Sequence, residues 1–185
     1  MSDVLLGIGL ATGMFYHAPK GTAYPAYPGE TLGASWKHVG DVTQDGVTLA
    51  TDKSTEALKN WANVVKRIVL SDHNETLQAP VMDTTEEVFK TIVGPNHVSV
   101  TAANAQHGKL IAVDLSTSEL PPEEEFLFLM KDGDDMMMLG CTGQIMSVDN
   151  VSFAPANSIN WTPTITVLEN SLQFITDDGK KAISG

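Results

Sequence analysis

Histidine and acidic side chains are the residues of this chain best suited to metal binding or acid–base chemistry. Five histidines are scattered along the chain at no spacing typical of a metal site, namely His17, His38, His73, His97 and His107. The acidic pair Glu86 and Glu87 stands at the start of a predicted helix, where the helix dipole favours negative charge. The pattern therefore predicts no metal site, and the position of the paired acids is explained without catalysis.

Two further patterns suggest ligand sites but lack parts that such sites need. Asp132, Asp134 and Asp135 resemble part of a calcium loop, but the glycine and the closing glutamate of an EF-hand loop are missing. The glycines within residues 7–13 are neither preceded by a strand nor followed by a helix before Pro19, as a dinucleotide-binding motif requires. We therefore expect a solvated hairpin tip at the aspartates and no nucleotide site near the start of the chain.

The chain also lacks the sequence signatures of common catalytic sites. It contains no Gly-x-Ser-x-Gly elbow, no Walker loop and no His-Glu-x-x-His pair. Cys141 is the single cysteine, which excludes an internal disulfide, and the sequence places no activating electropositive setting around its thiol. We expect Cys141 to be a small core residue, and we predict a protein without catalytic residues, metal or cofactor.

Length and charge narrow the class of protein further. A chain of 185 residues, 42% of them hydrophobic, suits one domain with a substantial core, so we predict a single domain over residues 1–185. The formal net charge is −12, with 23 acids against 11 Lys and Arg, and such a surface repels nucleic-acid phosphates, although solubility alone explains it equally well. The first apolar stretch is short, broken by Gly7 and Gly9 and preceded by no basic region, which is typical of neither a signal peptide nor a membrane span.

The region from Trp36 to Gly94 holds the strongest structural signals. Alternating valines on both sides of Asp45 and Gly46 predict a β-hairpin, with Trp36 anchoring it in a core. Residues 64–70 and 76–82 read as two further strands joined by the polar turn 71–74.

A capped helix is predicted to follow this strand pair. Asp83 or Thr84 is placed to cap it, Glu87 completes a Thr-x-x-Glu box with Thr84, and Gly94 ends it before Pro95. The helix has one apolar face and is short, so packing on a sheet must hold it.

The remaining segments complete a β-rich pattern. Residues 1–13 read as a flexible N-terminal arm, residues 51–63 as a long inter-strand loop, and residues 169–185 as a polar C-terminal tail. Leu58 and Trp61, three residues apart, would share one face if part of that loop formed a helical turn. Turn signals at residues 104–108 and 132–135 predict two more hairpins, and residues 145–153 and 160–168 further strands. The fold class that follows is β-rich α+β: an antiparallel β-sandwich or partly closed barrel with one flanking α-helix.

The order of these elements resembles the major tail tube protein of long-tailed bacteriophages. The resemblance rests on Ala18-Pro19-Lys20-Gly21-Thr22 after a short apolar strand, the Asp45-Gly46-Val47-Thr48 turn, Trp61 followed by a Val-Lys-Arg strand, and the acidic-started helix ending at Gly94. Two features depart from the family pattern: Gln44 replaces the acidic residue before the turn, and the chain has no room for the immunoglobulin-like domain that some members carry. The resemblance therefore implies a bare tube without surface decoration.

The resemblance implies a structural virion protein. Such proteins form hexameric rings that stack into the tail tube, the conduit for genome delivery into the host cell. Genomic DNA passes through its lumen without specific binding, and no membrane is implied as a partner of the protein. The implied partners are other copies of the chain together with tape-measure, tail terminator and distal tail proteins, and the implied location is the virion tail after assembly in the host cytoplasm. The alternative is a monomeric ligand-binding or carbohydrate-binding β-sandwich, and particle size separates the two.

Four apolar residues are candidates for contacts between subunits. Leu58 and Trp61 lie in the predicted loop, which the resemblance implies reaches a neighbouring subunit. Met137 lies in a run of three methionines that places adaptable side chains on both faces of a strand. Trp161 is expected to be buried or interfacial. The Gly-broken arm, the long loop and the polar tail should be mobile in an isolated domain, and we expect them to become ordered through contacts with neighbouring subunits.

Overall fold

The computed structural model describes residues 5–10, 14–154 and 158–178. Within these residues the chain forms eleven strands: Ile8–Gly9 (β1), Phe15–Pro19 (β2), Lys37–Gly40 (β3), Thr48–Lys59 (β4), Val65–Gln78 (β5), Val98–Thr101 (β6), Leu110–Val113 (β7), Glu124–Asp132 (β8), Asp135–Val148 (β9), Pro163–Val167 (β10) and Gln173–Asp177 (β11). One α-helix, Glu86–Val93 (α1), is followed by a 3₁₀ turn, Pro95–His97.

Nine strands form one antiparallel sheet, and seven of them follow one another in the order β3-β2-β8-β9-β10-β5-β4. β1 pairs with the end of β8 beyond β2, and β11 pairs with the start of β9 beyond β10. β6 and β7 form a separate antiparallel pair. The β-rich α+β class with an antiparallel sheet and one helix is therefore confirmed, and the sheet is not closed into a barrel.

The two faces of β8 enter two different cores. Phe126 and Phe128 belong to the main core, whereas Leu127 and Leu129 belong to a second cluster with Trp36. This follows from the two-residue period of a strand, which sends successive side chains to opposite faces. Complete burial of each aromatic ring stabilises the sheet by about 2–3 kcal/mol. Trp36 is thus a core residue, as predicted.

Helix α1 covers the main core with its apolar face. Val88, Phe89, Ile92 and Val93 are buried, and the Phe89 ring meets Trp161 edge-on with ring centroids 5.0 Å apart. The helix ends at Gly94 as predicted, because the backbone there has φ 88°, which glycine adopts without strain.

The predicted capping box at the start of this helix is wrong by one residue. The Thr85 hydroxyl, not that of Thr84, accepts the hydrogen bond from the Val88 N–H. Trp161 Nε1 donates to the Thr84 hydroxyl at 3.3 Å. Glu87 does not complete a box either, because its carboxylate is held by Lys37 and by a histidine on β2.

The predicted hairpin around Asp45 and Gly46 is also wrong, although the turn exists. The Gly46 N–H donates to the Thr43 carbonyl at 3.0 Å, and Gly46 has φ 71°. The strands on either side of this turn do not pair with each other, because β3 pairs with β2 and β4 pairs with β5.

The predicted loop of residues 51–63 is instead a strand and a tight turn. β4 runs to Lys59 and pairs along its whole length with β5, so its polar residues belong to a ladder. The predicted turn at residues 71–74 is likewise wrong, since β5 continues through it from Val65 to Gln78. The long hairpin β4–β5 therefore replaces a loop and two short strands.

The later hairpins and the two ends of the chain match the sequence predictions in part. The hairpins β6–β7 and β8–β9 are confirmed, but β9 continues past Gln144 to Val148 as one strand. The polar tail of residues 169–185 contains β11, which pairs with β9, and residues 179–185 lie outside the described part. In the predicted arm, Ile8 and Gly9 pair with Lys131 and Met130, while residues 1–4 and 11–13 lie outside the described residues.

Candidate assembly surface

The β4–β5 hairpin projects beyond the core of the subunit. β5 pairs with β10 over Thr76–Gln78. Farther out, within the described part of the chain, β4 and β5 pair with each other alone. All twelve residues of β4 are exposed. At about 3.3 Å per residue, a strand of this length spans roughly 40 Å. Two strands alone are at best marginally stable in water, so an exposed hairpin of this size favours contact with a partner.

One face of the hairpin carries an apolar row. The ladder pairs Ala57 with Ile68 and Thr55 with Leu70, and directly paired residues share a face. Leu49 pairs with Leu77, and the two-residue period of β4 places this pair on the same face. Leu77 is fully buried in the core. Outward from Leu77 this face is exposed or only half-buried. It is polar where Thr51 pairs with Glu75 and Lys53 with His73, and it becomes apolar again at Ile68 and Leu70 in the outer half. The large hydrophobic residues exposed on the whole hairpin are Leu49, Leu58, Trp61, Val64, Val65, Ile68 and Leu70.

Trp61 stands at the tip of the hairpin in a well-defined turn. The Asn60 N–H donates to the Val64 carbonyl at 3.0 Å, and the Val64 N–H donates to Asn60 Oδ1 at 2.9 Å. Asn63 closes the turn with φ 60°, a conformation that asparagine tolerates well. The Trp61 side chain is 105% exposed, so it contributes no contact to its own subunit that would explain its presence.

Charge is distributed unevenly between the hairpin and the rest of the chain. Residues 48–78 contain four Lys or Arg and four Asp or Glu, so the whole excess of acidic charge lies outside the hairpin. The outer half of the hairpin, residues 55–70, has a net charge of +2. It contains one acid, Glu56, and three basic residues, Lys59, Lys66 and Arg67. A basic tip on an acidic protein favours contact with another acidic copy.

A buried polar cluster joins the helix to the sheet. His17 on β2 is buried, with Nδ1 2.7 Å from Glu124 and Nε2 3.1 Å from Glu87. Burial acts to raise the pKa of Glu87, but hydrogen bonds from Lys37 and His17 outweigh it and lower that pKa. The cluster thus fixes α1 against β2 and β8 and supports the body from which the hairpin projects.

A second ionic group lies at the helix start. Lys109 and Lys90 both donate to the Glu86 carboxylate, and these hydrogen bonds lower its pKa to about 2. Glu86 therefore ties α1 to the chain just before β7. The paired acids predicted at the helix start act as structural ion-pair partners in this arrangement.

The chemistry available to the described residues is limited. Cys141 is fully buried, as predicted, and burial raises the pKa of its thiol to about 12, so the reactive thiolate is scarce at neutral pH. No group of three or more His, Cys, Asp or Glu within the described ranges is arranged to hold a metal ion. No helix in the described part of the chain is long and apolar enough to cross a membrane.

The four predicted interface residues divide into two pairs. Leu58 and Trp61 are exposed on the hairpin, and their role in assembly stays a prediction. Met137 and Trp161 are only 3% and 5% exposed, so they serve the core of the subunit rather than an exposed surface. The predicted strand over residues 64–70 did not single out Ile68 and Leu70 as interface candidates, and the structure leaves both exposed on the outer half of the hairpin. Their alternation on β5 was the available signal.

Comparison with known proteins agrees with this geometry. Comparison with curated proteins gives no match. The family model described as phage tail tube protein matches residues 8–182, nearly the whole chain and every strand described above. The chain therefore belongs to the phage tail tube protein family.

Proposed function

We propose that this protein assembles into hexameric rings that stack into the phage tail tube, the conduit for genome delivery. The observation that carries the proposal is the projecting β4–β5 hairpin, whose outer half exposes an apolar face and a basic tip. Membership of the tail tube family supports a structural role in the virion tail. The tape-measure, tail terminator and distal tail proteins would be its partners, and assembly would take place in the host cytoplasm.

Open sheet edges give a second argument for assembly. Among the residues that the structure describes, the order of the large sheet leaves β3 and β4 each with one unpaired edge. An uncovered strand of twelve residues presents unpaired backbone groups and invites pairing with another chain. We expect neighbouring subunits to cover these edges in the ring, so that a feature hazardous in a monomer becomes an interface.

The charge of the body suits a DNA conduit. With a formal charge of −12 per subunit, a ring of six subunits would carry −72. Few cations are then available to hold phosphates, and DNA would slide through the lumen without specific binding. A lumen lined mainly by Lys and Arg in a resolved tube would contradict this part of the proposal.

Ile68→Asp tests the role of the hairpin face. Ile68 is 65% exposed, so the variant should remain folded, but a carboxylate buried between subunits should abolish tubes. Leu115→Asp places the same charge on a comparably exposed leucine outside the hairpin and is expected to assemble. Light scattering after size exclusion, with electron microscopy, measures both variants. If Ile68→Asp forms tubes as well as the wild type does, the hairpin face is not an interface.

A further inference from the structure

We propose that Trp61 of one copy inserts into a groove on a second copy, beside the base of that copy's hairpin. This inference rests on the proposed function and names the surface that receives the hairpin tip. The groove lies between β1 and the turn at residues 41–46, and it is lined by Gly7, Ile8, Gly9, Leu10, Met14, Asp41, Val42, Thr43, Gln44, Gly46 and Met82.

The groove is large enough for an indole ring and has an apolar floor. Its volume is about 490 Å³, and Ile8 and Met82 remain 54% and 46% exposed within it. Methionine adapts its shape to an aromatic partner and makes favourable sulfur–ring contacts. Apolar side chains left open in a concave site gain the most when an aromatic ring covers them.

One wall of the groove, the turn at residues 41–46, is held in place within the subunit. The Thr43 N–H donates to the Pro80 carbonyl at 2.8 Å, and the Met82 N–H donates to the Asp41 carbonyl at 3.0 Å. The Asp41 N–H in turn donates to the Asp83 carboxylate at 2.7 Å. These hydrogen bonds hold the turn against the chain that follows β5. A pre-formed wall costs little ordering entropy on binding.

The occupant must come from another copy of the chain. Gly46 lines the groove and β4 begins two residues later, so the groove lies at the base of its own hairpin. The tip lies at the other end of β4, about 40 Å away at the rise of an extended strand. A tip that enters the groove of the next copy makes a head-to-tail contact, which repeats along an assembly instead of closing a dimer.

Charge complementarity favours the same pairing. Asp41 is the one charged side chain among the residues that line the groove, and Asp45 lies in the same turn. Lys131, opposite Ile8 in the sheet, offsets part of this negative charge. The tip supplies Lys59, Lys66 and Arg67 close to Trp61, and these cations can meet the two aspartates when the ring is seated.

A second apolar groove provides an internal control. It is lined by Ile92, Val93, Leu115, Thr117, Ser118, Glu119, Leu120, Pro121, Ile145, Met146, Ser147 and Val148, and its volume is about 180 Å³. Each groove has one carboxylate near a histidine: Glu119 lies 3.2 Å from His97, and Asp41 of the first groove lies 3.7 Å from His38. Met146 is 49% exposed there, close to the value for Met82. The two methionines are therefore matched reporters for the two grooves.

Photocrosslinking from the tip tests the docking directly. Trp61→p-benzoylphenylalanine keeps an aromatic ring at the tip, and the unlabelled variant is assembled with ¹⁵N-labelled wild type before irradiation. Tube formation is checked by electron microscopy of the same sample. We expect adducts that join the unlabelled variant to the ¹⁵N-labelled wild type, with the crosslink on the wild-type chain at Met82, Met14 or residues 41–46. Adducts at Met146, or away from both grooves, would refute the docking while tubes in the same sample leave the proposed function standing.

Protection of a cysteine probe tests the groove with Trp61 intact. Met82→Cys and Met146→Cys are compared for reaction with a maleimide before and after assembly, and the buried Cys141 contributes little background. We expect Met82→Cys to react about tenfold or more slowly in tubes than in free subunits. Unchanged reactivity of Met82→Cys in tubes would contradict the docking. If no particle larger than a monomer forms, the proposed function fails, and the docking fails with it because it needs a second copy.

Discussion

Two tryptophan-to-alanine substitutions separate assembly energy from folding energy in this chain. Trp36 is buried and donates from Nε1 to the Ala23 carbonyl, whereas Trp61 is fully exposed. Trp36→Ala should therefore cost about 3–5 kcal/mol of unfolding free energy. For a chain of this size that lowers Tm by about 6–20 °C. Trp61→Ala should change the unfolding free energy by less than about 0.5 kcal/mol.

The same substitution at the tip should act on assembly. A tryptophan buries about 150–250 Å² in an interface, which at about 25 cal/mol/Å² sets an upper bound near 4–6 kcal/mol. Residues at the centre of an interface usually deliver about 2–4 kcal/mol of this. Trp61→Ala should thus raise the concentration needed for assembly by about 30-fold to several hundred-fold.

Thermal unfolding of the subunit and pelleting of tubes over a concentration series measure the two effects. The reasoning is refuted if Trp61→Ala lowers Tm as far as Trp36→Ala does. It is also refuted if Trp61→Ala assembles at the wild-type concentration.

Three further predictions concern the body of the subunit. Because hydrogen bonds from lysines depress the pKa of Glu86 from 4.5 to about 2, wild type should exceed Glu86→Gln in stability above pH 4.5. The difference in unfolding free energy between the two proteins should vanish as the pH falls towards 2. Denaturant titrations from pH 7 to 2 measure it, and a difference that stays constant would contradict the prediction. Gly143→Ala should cost about 1–3 kcal/mol in urea unfolding, because the new Cβ would lie 2.6 Å from Ile165 Cγ2 and 3.0 Å from a backbone oxygen. Gly108→Ala meets no atom within 4 Å and should be neutral; equal costs at the two glycines would count against the close approach. Finally, Cys141 should resist a maleimide at pH 8 until the protein is denatured, and rapid labelling of the folded chain would contradict its burial.

Elements that pack on their own subunit were the predictable part of this fold. The signals are an apolar run in β8, turn residues at 132–135 and a helical period of apolar residues in α1. They are visible in the sequence because a strand buried on both faces needs apolar residues throughout, whereas a helix buried on one face needs them on that face. The helix start was ambiguous, since Thr84 and Thr85 are both suitable caps and only the position of the Trp161 ring distinguishes them. Which strands pair was less predictable, because the partners β2 and β3 are separated by a long loop and no local turn fixes their register.

The candidate site was the least predictable part, for a physical reason. Between Asp52 and Glu56 the strand β4 is polar on both faces, because neither face packs on the subunit, and the composition of such a strand equals that of a loop. Its regular structure comes from backbone pairing with β5, which leaves no side-chain signature. Trp61 is an interface candidate because the segment that holds it is predicted to reach a neighbouring subunit. The methionine run is predicted to pack on the core and on a partner, and Trp161 to be buried or interfacial; the structure buries both Met137 and Trp161.

Negative-stain electron microscopy of the purified chain shows directly whether the protein forms a tube. We expect stacked rings with sixfold symmetry and tubes that lengthen as the protein concentration rises. A chain that stays strictly monomeric at high concentration, and also when tail initiator components are supplied, would contradict it and would favour a monomeric binding module.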